Sequence, residues 1–335
     1  MALPQIRSFG FSCADADRLA DFYIQRLGCR RGTTLELGGA YAELVGLPGS
    51  LLKVVSLHVG AEILELCEVL QSGPGLRPGR PLPADSRSND LWFQHICLVT
   101  KDLAIAAAPV LAELAAGRLR PISTAPQTLP ADNPGAAGIR AFKFHDPEGH
   151  SLELLQFPPD RGEPRWHAAA CASRPEAAGP LLGIDHSAIG VADSERSGRF
   201  YEGLLGLRLG GDGVNHGVEQ DGLDGLEGTR VRITAHRCSD GPGIECLDYR
   251  APAGGRPMPG DHSATDAAHW QIRLAVDDLE RIGAGLAAAG GRDVRLGAPA
   301  LAPLELEPEV ARALGFRRAL QVRDPDGHAL QLVSD

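Results

Sequence analysis

The chain repeats itself across its middle, and that repeat limits the possible folds more than any local motif. Residues Ile184 to Gly206 place a histidine, His186, in a short apolar run. Asp193 follows, then an amphipathic stretch ending in Phe200-Tyr201 and a Leu-Gly stop. An eroded version opens the chain, running from Ile6 through Ser8 and Asp15 to Phe22-Tyr23 and Leu27-Gly28. Ser8 matches His186 and Asp15 matches Asp193, both at an offset of 178 residues. Two more blocks repeat: Gly79-Arg80-Pro81-Leu82-Pro83-Ala84-Asp85 with Gly255-Arg256-Pro257-Met258-Pro259-Gly260-Asp261, and Asp146-Pro147-Glu148-Gly149-His150 with Asp324-Pro325-Asp326-Gly327-His328. Self-similarity at a fixed long period marks an architecture of duplicated units.

Within each half the pattern strand, helix, several strands occurs twice. Asp15, Asp102, Asp193 and either Asp277 or Asp278 stand as N-caps before apolar-periodic stretches. The strands after each helix include Glu62 to Val69, Ser151 to Phe157, Ile244 to Tyr249 and His328 to Val333, with weaker strands over 31–45. The spacing predicts four modules, at 6–72, 92–157, 182–252 and 268–335. These group into domains 1–157 and 182–335, joined by a Pro/Ala-rich linker at 158–181.

At 335 residues, two domains is the natural size. A net charge of −10 disfavours a nucleic-acid partner, which selects for a basic stripe. No apolar run reaches the ~20 residues that cross a bilayer, and the N-terminus has no signal-peptide pattern. Seven cysteines, odd in number and without a CxxC pair, point to reduced thiols and a cytoplasmic location.

A βαβββ module with histidine on its first strand, a helix ending Phe-Tyr…Leu-Gly, and a last strand after Asp-Pro-(Asp/Glu)-Gly resembles the vicinal oxygen chelate superfamily. That superfamily includes glyoxalase I, extradiol dioxygenases and bleomycin-type antibiotic-resistance proteins. The resemblance covers nearly the whole chain outside the linker. It implies an α+β fold in which four βαβββ modules form two cup-shaped mixed-sheet halves. It also implies metal ligands on the first and last strand of each module. Carried over position by position, these are Ser8, His95, His186 and Gln271 on first strands, and Glu65, Glu153, Glu245 and Gln331 on last strands. Neither sequence half holds a full set. Modules two and three together do, with His95, Glu153, His186 and Glu245. The resemblance therefore implies one complete metal site built across the halves and one decayed site.

Such a set suits a divalent transition metal, Fe, Ni, Co, Mn or Zn. It implies a glyoxalase, isomerase or lyase acting on a small substrate with vicinal oxygens, with Glu153 or Glu245 as catalytic base. Two alternatives stay open: an Fe(II) extradiol-type dioxygenase, and a metal-free protein that binds a small molecule such as an antibiotic. Arg87, Trp92, Gln127, Asn133, His167 and His269 are candidate substrate contacts, set against plainer readings as solvated loops, linker pins or core residues. His150 and His328, in turns, are expected to be exposed, and Tyr23 and Tyr201 to pack. The expected partner is a small-molecule substrate, with no nucleic acid and no membrane; the chain would be a monomer or homodimer.

Overall fold

The computed structural model describes residues 4–133, 135–167, 179–288 and 302–335. Its strands form two sheets. The first sheet has the order β15-β16-β17-β14-β1-β4-β3-β2 and the second β11-β12-β13-β10-β5-β9-β8-β6, with β7 paired to β8. In the first module β1 is Gln5–Cys13, β2 Arg30–Leu37, β3 Leu51–Val59 and β4 Glu62–Gln71. In the second, β5 is Gln94–Thr100, β6 Arg120–Pro121, β7 Gln127–Thr128, β8 Arg140–His145 and β9 Ser151–Gln156. In the third, β10 is Leu181–Gly190, β11 Arg208–His216, β12 Arg230–Arg237 and β13 Gly243–Ala251. In the fourth, β14 is Trp270–Ala275, β15 Leu304–Glu305, β16 Arg318–Arg323 and β17 Ala329–Ser334.

Each sheet therefore takes one module from each sequence half. The first joins modules one and four; the second joins modules two and three. Within a module the first strand lies parallel to the last, as in β5 beside β9 and β10 beside β13. The two first strands then pair antiparallel at the centre, β1 with β14 and β5 with β10. This puts the four strands that carry the sequence-selected positions side by side in each sheet.

Helices start and stop where the caps predict. Asp15 accepts from the Arg18 amide at the start of Ala16–Leu27, and Gly28 closes that helix at φ 74°. Asp102 and Asp193 cap Leu103–Ala115 and Ser194–Gly198, the latter running into a π-helical turn over Arg199–Leu204. The stretch 31–45 departs from the all-strand expectation. β2 ends at Leu37, Gly39 takes a φ of 50°, and Gly39–Leu44 is a short helix burying Tyr41, Ala42 and Leu44.

Alternation of side chains across the strands sends Ile96, Leu98, Ile184, Phe9, Phe11 and Ile272 to one face. There they share a continuous core with Leu19, Tyr23 and Val110 of the helices. The opposite faces carry the polar positions.

The repeated motifs are the fastenings between the sheets. Asp146 accepts from Tyr23 Oη at 3.1 Å and pairs with His150 Nδ1 at 2.8 Å, while His150 Nε2 faces the Ser12 carbonyl at 2.8 Å. The twin is Asp324, which accepts from Tyr201 Oη at 3.0 Å, with His328 Nε2 on the Gly190 carbonyl at 2.9 Å. Both histidines are thus buried rather than exposed, because their turns fold back onto a first strand of the other sheet. The Gly-Arg-Pro repeat is equally reciprocal. Arg80 bonds Asp261 and Asp266, and Arg256 bonds Asp85 and Asp90. A Cβ at Gly79 would collide with the Thr265 carbonyl and one at Gly255 with the Asn89 carbonyl, so each arginine needs glycine before it. The six described cysteines are all free thiols; Cys171 lies outside the described residues.

Candidate metal centre

The inner face of the second sheet collects His95, Glu153, His186 and Glu245 from β5, β9, β10 and β13. They line one cavity of about 300 Å³, whose other walls include Leu129, Ile139, Phe157 and Leu247. His95 Nε2 lies 2.9 Å from Glu153 Oε2. His186 Nε2 lies 3.9 Å from the same oxygen and 3.4 Å from Glu245 Oε2. Ligand atoms about 2.0–2.2 Å from one metal sit about 3 Å apart, so these separations fit a shared cation with small adjustments. His95, Glu153 and His186 form one group whose ligand atoms are all within 4.8 Å of one another; Asp185, His186 and Glu245 form a second. His95 and Glu153 are buried, whereas the Glu245 side chain keeps 18% of its surface toward the cavity.

Asp185 escaped the sequence reading. By strict alternation it should face away from His186. The β5–β10 register slips between Ile184 and His186, a bulge that re-aims the local side chains, and both residues line the cavity. His186 Nδ1 donates to Asp185 Oδ2 at 2.9 Å, which fixes the ring with Nε2 inward. Asp185 in turn accepts from Trp166 Nε1 at 3.1 Å and from Arg237 at 3.2 Å. Burial disfavours its charge, but the His186 bond and Arg237 outweigh that and hold its carboxyl well below the usual range. The consecutive polar residues Asp185, His186 and Ser187 in the run LLGIDHSAIG were the available signal.

Lys143 was also missed, although it was findable. It stands between Phe142 and Phe144 on β8 as Glu153 stands between two leucines, and the two are cross-strand partners. Its Nζ donates to Asp224 at 2.8 Å, and Gln220 Nε2 donates to the other Asp224 oxygen at 2.8 Å. Burial opposes the ammonium, yet Asp224 and Glu153 raise its pKa above the usual lysine value. Burial likewise works against the Glu153 charge, but Lys143 and His95 bring its pKa down to about 2. Burial, helped by Lys143, pushes His95 down to about 4. For His186 burial is outweighed by Glu245 and Asp185, and its pKa rises. At neutral pH the site thus holds a neutral His95 beside an ionised Glu153, the state in which both can ligate.

The six proposed substrate contacts do not line this cavity. Arg87 is exposed, and its backbone amide bonds Asp90. Trp92 lies under the Arg256 guanidinium at 4.7 Å and donates to Ser86, so the polar run entering β5 belongs to the fastening. Gln127 donates to Thr124 and the Ala125 carbonyl. Asn133 clamps both backbone groups of His216, tying a loop of module two to β11 beside the cavity wall. His167 bonds the Arg161 carbonyl within the linker; its neighbour Trp166 is the residue that reaches the site. His269 lies at the start of β14's sheet, the other sheet, close to His262.

That other sheet holds the counterpart positions. Arg273, two residues past Gln271 and so on the same face, occupies their centre. Its Nη1 donates to Glu65 at 2.6 Å and its Nε to Gln331 at 2.8 Å; Gln331 Nε2 reaches Gln271 Oε1 at 3.4 Å. A fixed guanidinium thus links Glu65 and Gln331, leaving this sheet without the two-histidine set of its twin.

Comparison with known proteins agrees with this architecture. Residues 183–332 match the family model described as Glyoxalase/Bleomycin resistance protein/Dioxygenase superfamily. Glyoxalase I from Zea mays is 14% identical with a TM-score of 0.57, over 99% of this chain and 92% of that one. A putative dioxygenase from Bacillus subtilis subsp. subtilis str. 168 is also 14% identical, with a TM-score of 0.53 over 100% and 86%. At that identity the likeness speaks for the fold. No curated protein sequence matches the chain. No helix among the described residues is long and apolar enough to cross a membrane. The family match over residues 183–332, the fold shared along the full chain and the fourfold module repeat are consistent with a tandem vicinal oxygen chelate protein.

Proposed function

We propose that the chain is a divalent-metal-dependent enzyme of the glyoxalase, isomerase or lyase type, acting on a small substrate with adjacent oxygens. The observation that carries the reading is the convergence of His95, Glu153, His186 and Glu245 on one cavity from four neighbouring strands. A bound Fe, Ni, Co, Mn or Zn ion would supply Lewis acidity to both substrate oxygens. His95, His186 and Glu153 would hold the ion, with Asp185 orienting His186. Glu245 is the better placed of the two candidate bases. It borders the open cavity, whereas Glu153 is tied to His95. Lys143 and Arg237, both lining the cavity, would face negative charge on a substrate. The apolar walls exclude water from the reacting atoms.

A second reading has its own support. His95, His186 and Glu153 cluster without Glu245, which is the two-His-one-carboxylate pattern of non-haem Fe(II) oxygenases. Oxygen uptake by the iron-loaded protein with a catechol separates the two.

The test is metal content by plasma mass spectrometry on untagged wild type and on His186→Ala. About one metal per chain in wild type, lost in the variant, is the expected outcome. Metal retained by the variant moves the site elsewhere. No metal in either, even after reconstitution with each of the five ions, leaves a metal-free binding protein.

A further inference from the structure

The counterpart face of the first sheet is not closed. A cavity of about 560 Å³ opens on it, lined by Ser8, Glu65, Arg273, Phe316 and Arg7 among others. That is within the range of small-molecule sites. Two buried polar atoms of residues that line it have no partner, Arg273 Nη2 and Ser8 Oγ, and their residues are only 4% and 3% exposed. A buried guanidinium edge without an acceptor is costly and uncommon in folded proteins. The rest of Arg273 is fully held, by Glu65, by Gln331 and by Phe316, whose ring centroid lies 5.0 Å from the guanidinium carbon. The free edge is therefore rigid and prepared in advance. Both unused groups can donate, so the missing ligand has acceptor oxygens.

We propose that this cavity is a second, metal-free binding site for a small molecule carrying a carboxylate. Arg273 Nη2 and Ser8 Oγ donate to the carboxylate oxygens, and the guanidinium stands where the other sheet would hold its cation. Glu65 shares that guanidinium, so the floor carries no net charge. A singly charged planar carboxylate suits it better than a dianion, which would be repelled by Glu65. Arg7, Asp277 and Asp335 lie at the exposed rim, where solvent and salt screen them.

The probe is sodium lactate, titrated calorimetrically into EDTA-treated full-length protein at constant ionic strength, with lactamide as the neutral control. Saturable lactate binding without lactamide binding is expected, and it should persist in His186→Ala. This separates the proposal from the metal-centre reading, which can fail independently. The paired variant Glu65→Gln/Arg273→Gln leaves no buried charge unpaired and should weaken binding on the order of ten- to a hundred-fold. Ser8→Ala, which removes a hydroxyl with no partner in the fold, should weaken it several-fold and decides the matter if the paired variant does not fold. Absence of saturable binding, binding unchanged in Ser8→Ala and the paired variant, or binding lost in His186→Ala would each overturn the proposal.

Discussion

Replacing Asp146 by alanine should unfold the protein far more easily than its position in a turn suggests. One carboxylate there accepts from Tyr23 Oη and His150 Nδ1 through one oxygen, and from the amides of Glu148 and His150 through the other. Tyr23, Asp146 and His150 are all buried, with the His150 ring packed at a tilt against Phe11, centroids 4.2 Å apart. Each orphaned buried donor costs about 1–3 kcal/mol, and neighbouring losses do not add fully. A destabilisation of about 4 kcal/mol follows, at the severe end for a point substitution. The pH dependence adds a second readout. Both His150 ring nitrogens face acceptors, Asp146 and the Ser12 carbonyl, so only the imidazolium satisfies both. Burial opposes the charge, but Asp146 outweighs it and the pKa rises above 6.5. The stabilisation is therefore full below 6.5 and is lost as pH rises through the folded-state value. In Asp146→Asn that pH window should flatten. Urea titrations followed by tryptophan fluorescence and far-UV circular dichroism, below and above the imidazole range, measure both effects. Asp324→Ala, at the twin position, should cost about the same. A loss under about 1 kcal/mol in Asp146→Ala, or stability that rises with pH through this window, would refute the reasoning.

Two further outcomes follow from the second sheet. Asp185→Asn removes the charged acceptor from His186 Nδ1 and should weaken metal affinity by roughly 10–100-fold, read by chelator competition; unchanged affinity would remove Asp185 from any orienting role. Lys143→Met strands the buried Asp224 and should destabilise by about 3–5 kcal/mol in urea, with Lys143→Met/Asp224→Leu recovering most of the loss; a single variant as stable as wild type would show that the pair contributes little.

Period, capping and alternation were legible in the chain because they are local. The offset of 178 residues announced the duplication, aspartates at the helix starts announced four helices, and Glu153 between two leucines announced a polar group on an otherwise apolar strand. The uneven distribution of His and Glu over the modules even pointed to a set drawn from both halves. The pairing that realises it, β5 antiparallel to β10, is a choice made by packing across the whole core, and the other contacts between distant segments were not legible. The bulge that turns Asp185 toward His186 is a defect in that pairing, and no period in a single strand encodes it. The burial of His150 and His328, the reciprocal arginine fastenings, and the guanidinium at the centre of the first sheet likewise each need two partners more than 50 residues apart. A sequence states which residues are available and which face they take within their own element; only the closed tertiary structure decides which faces meet.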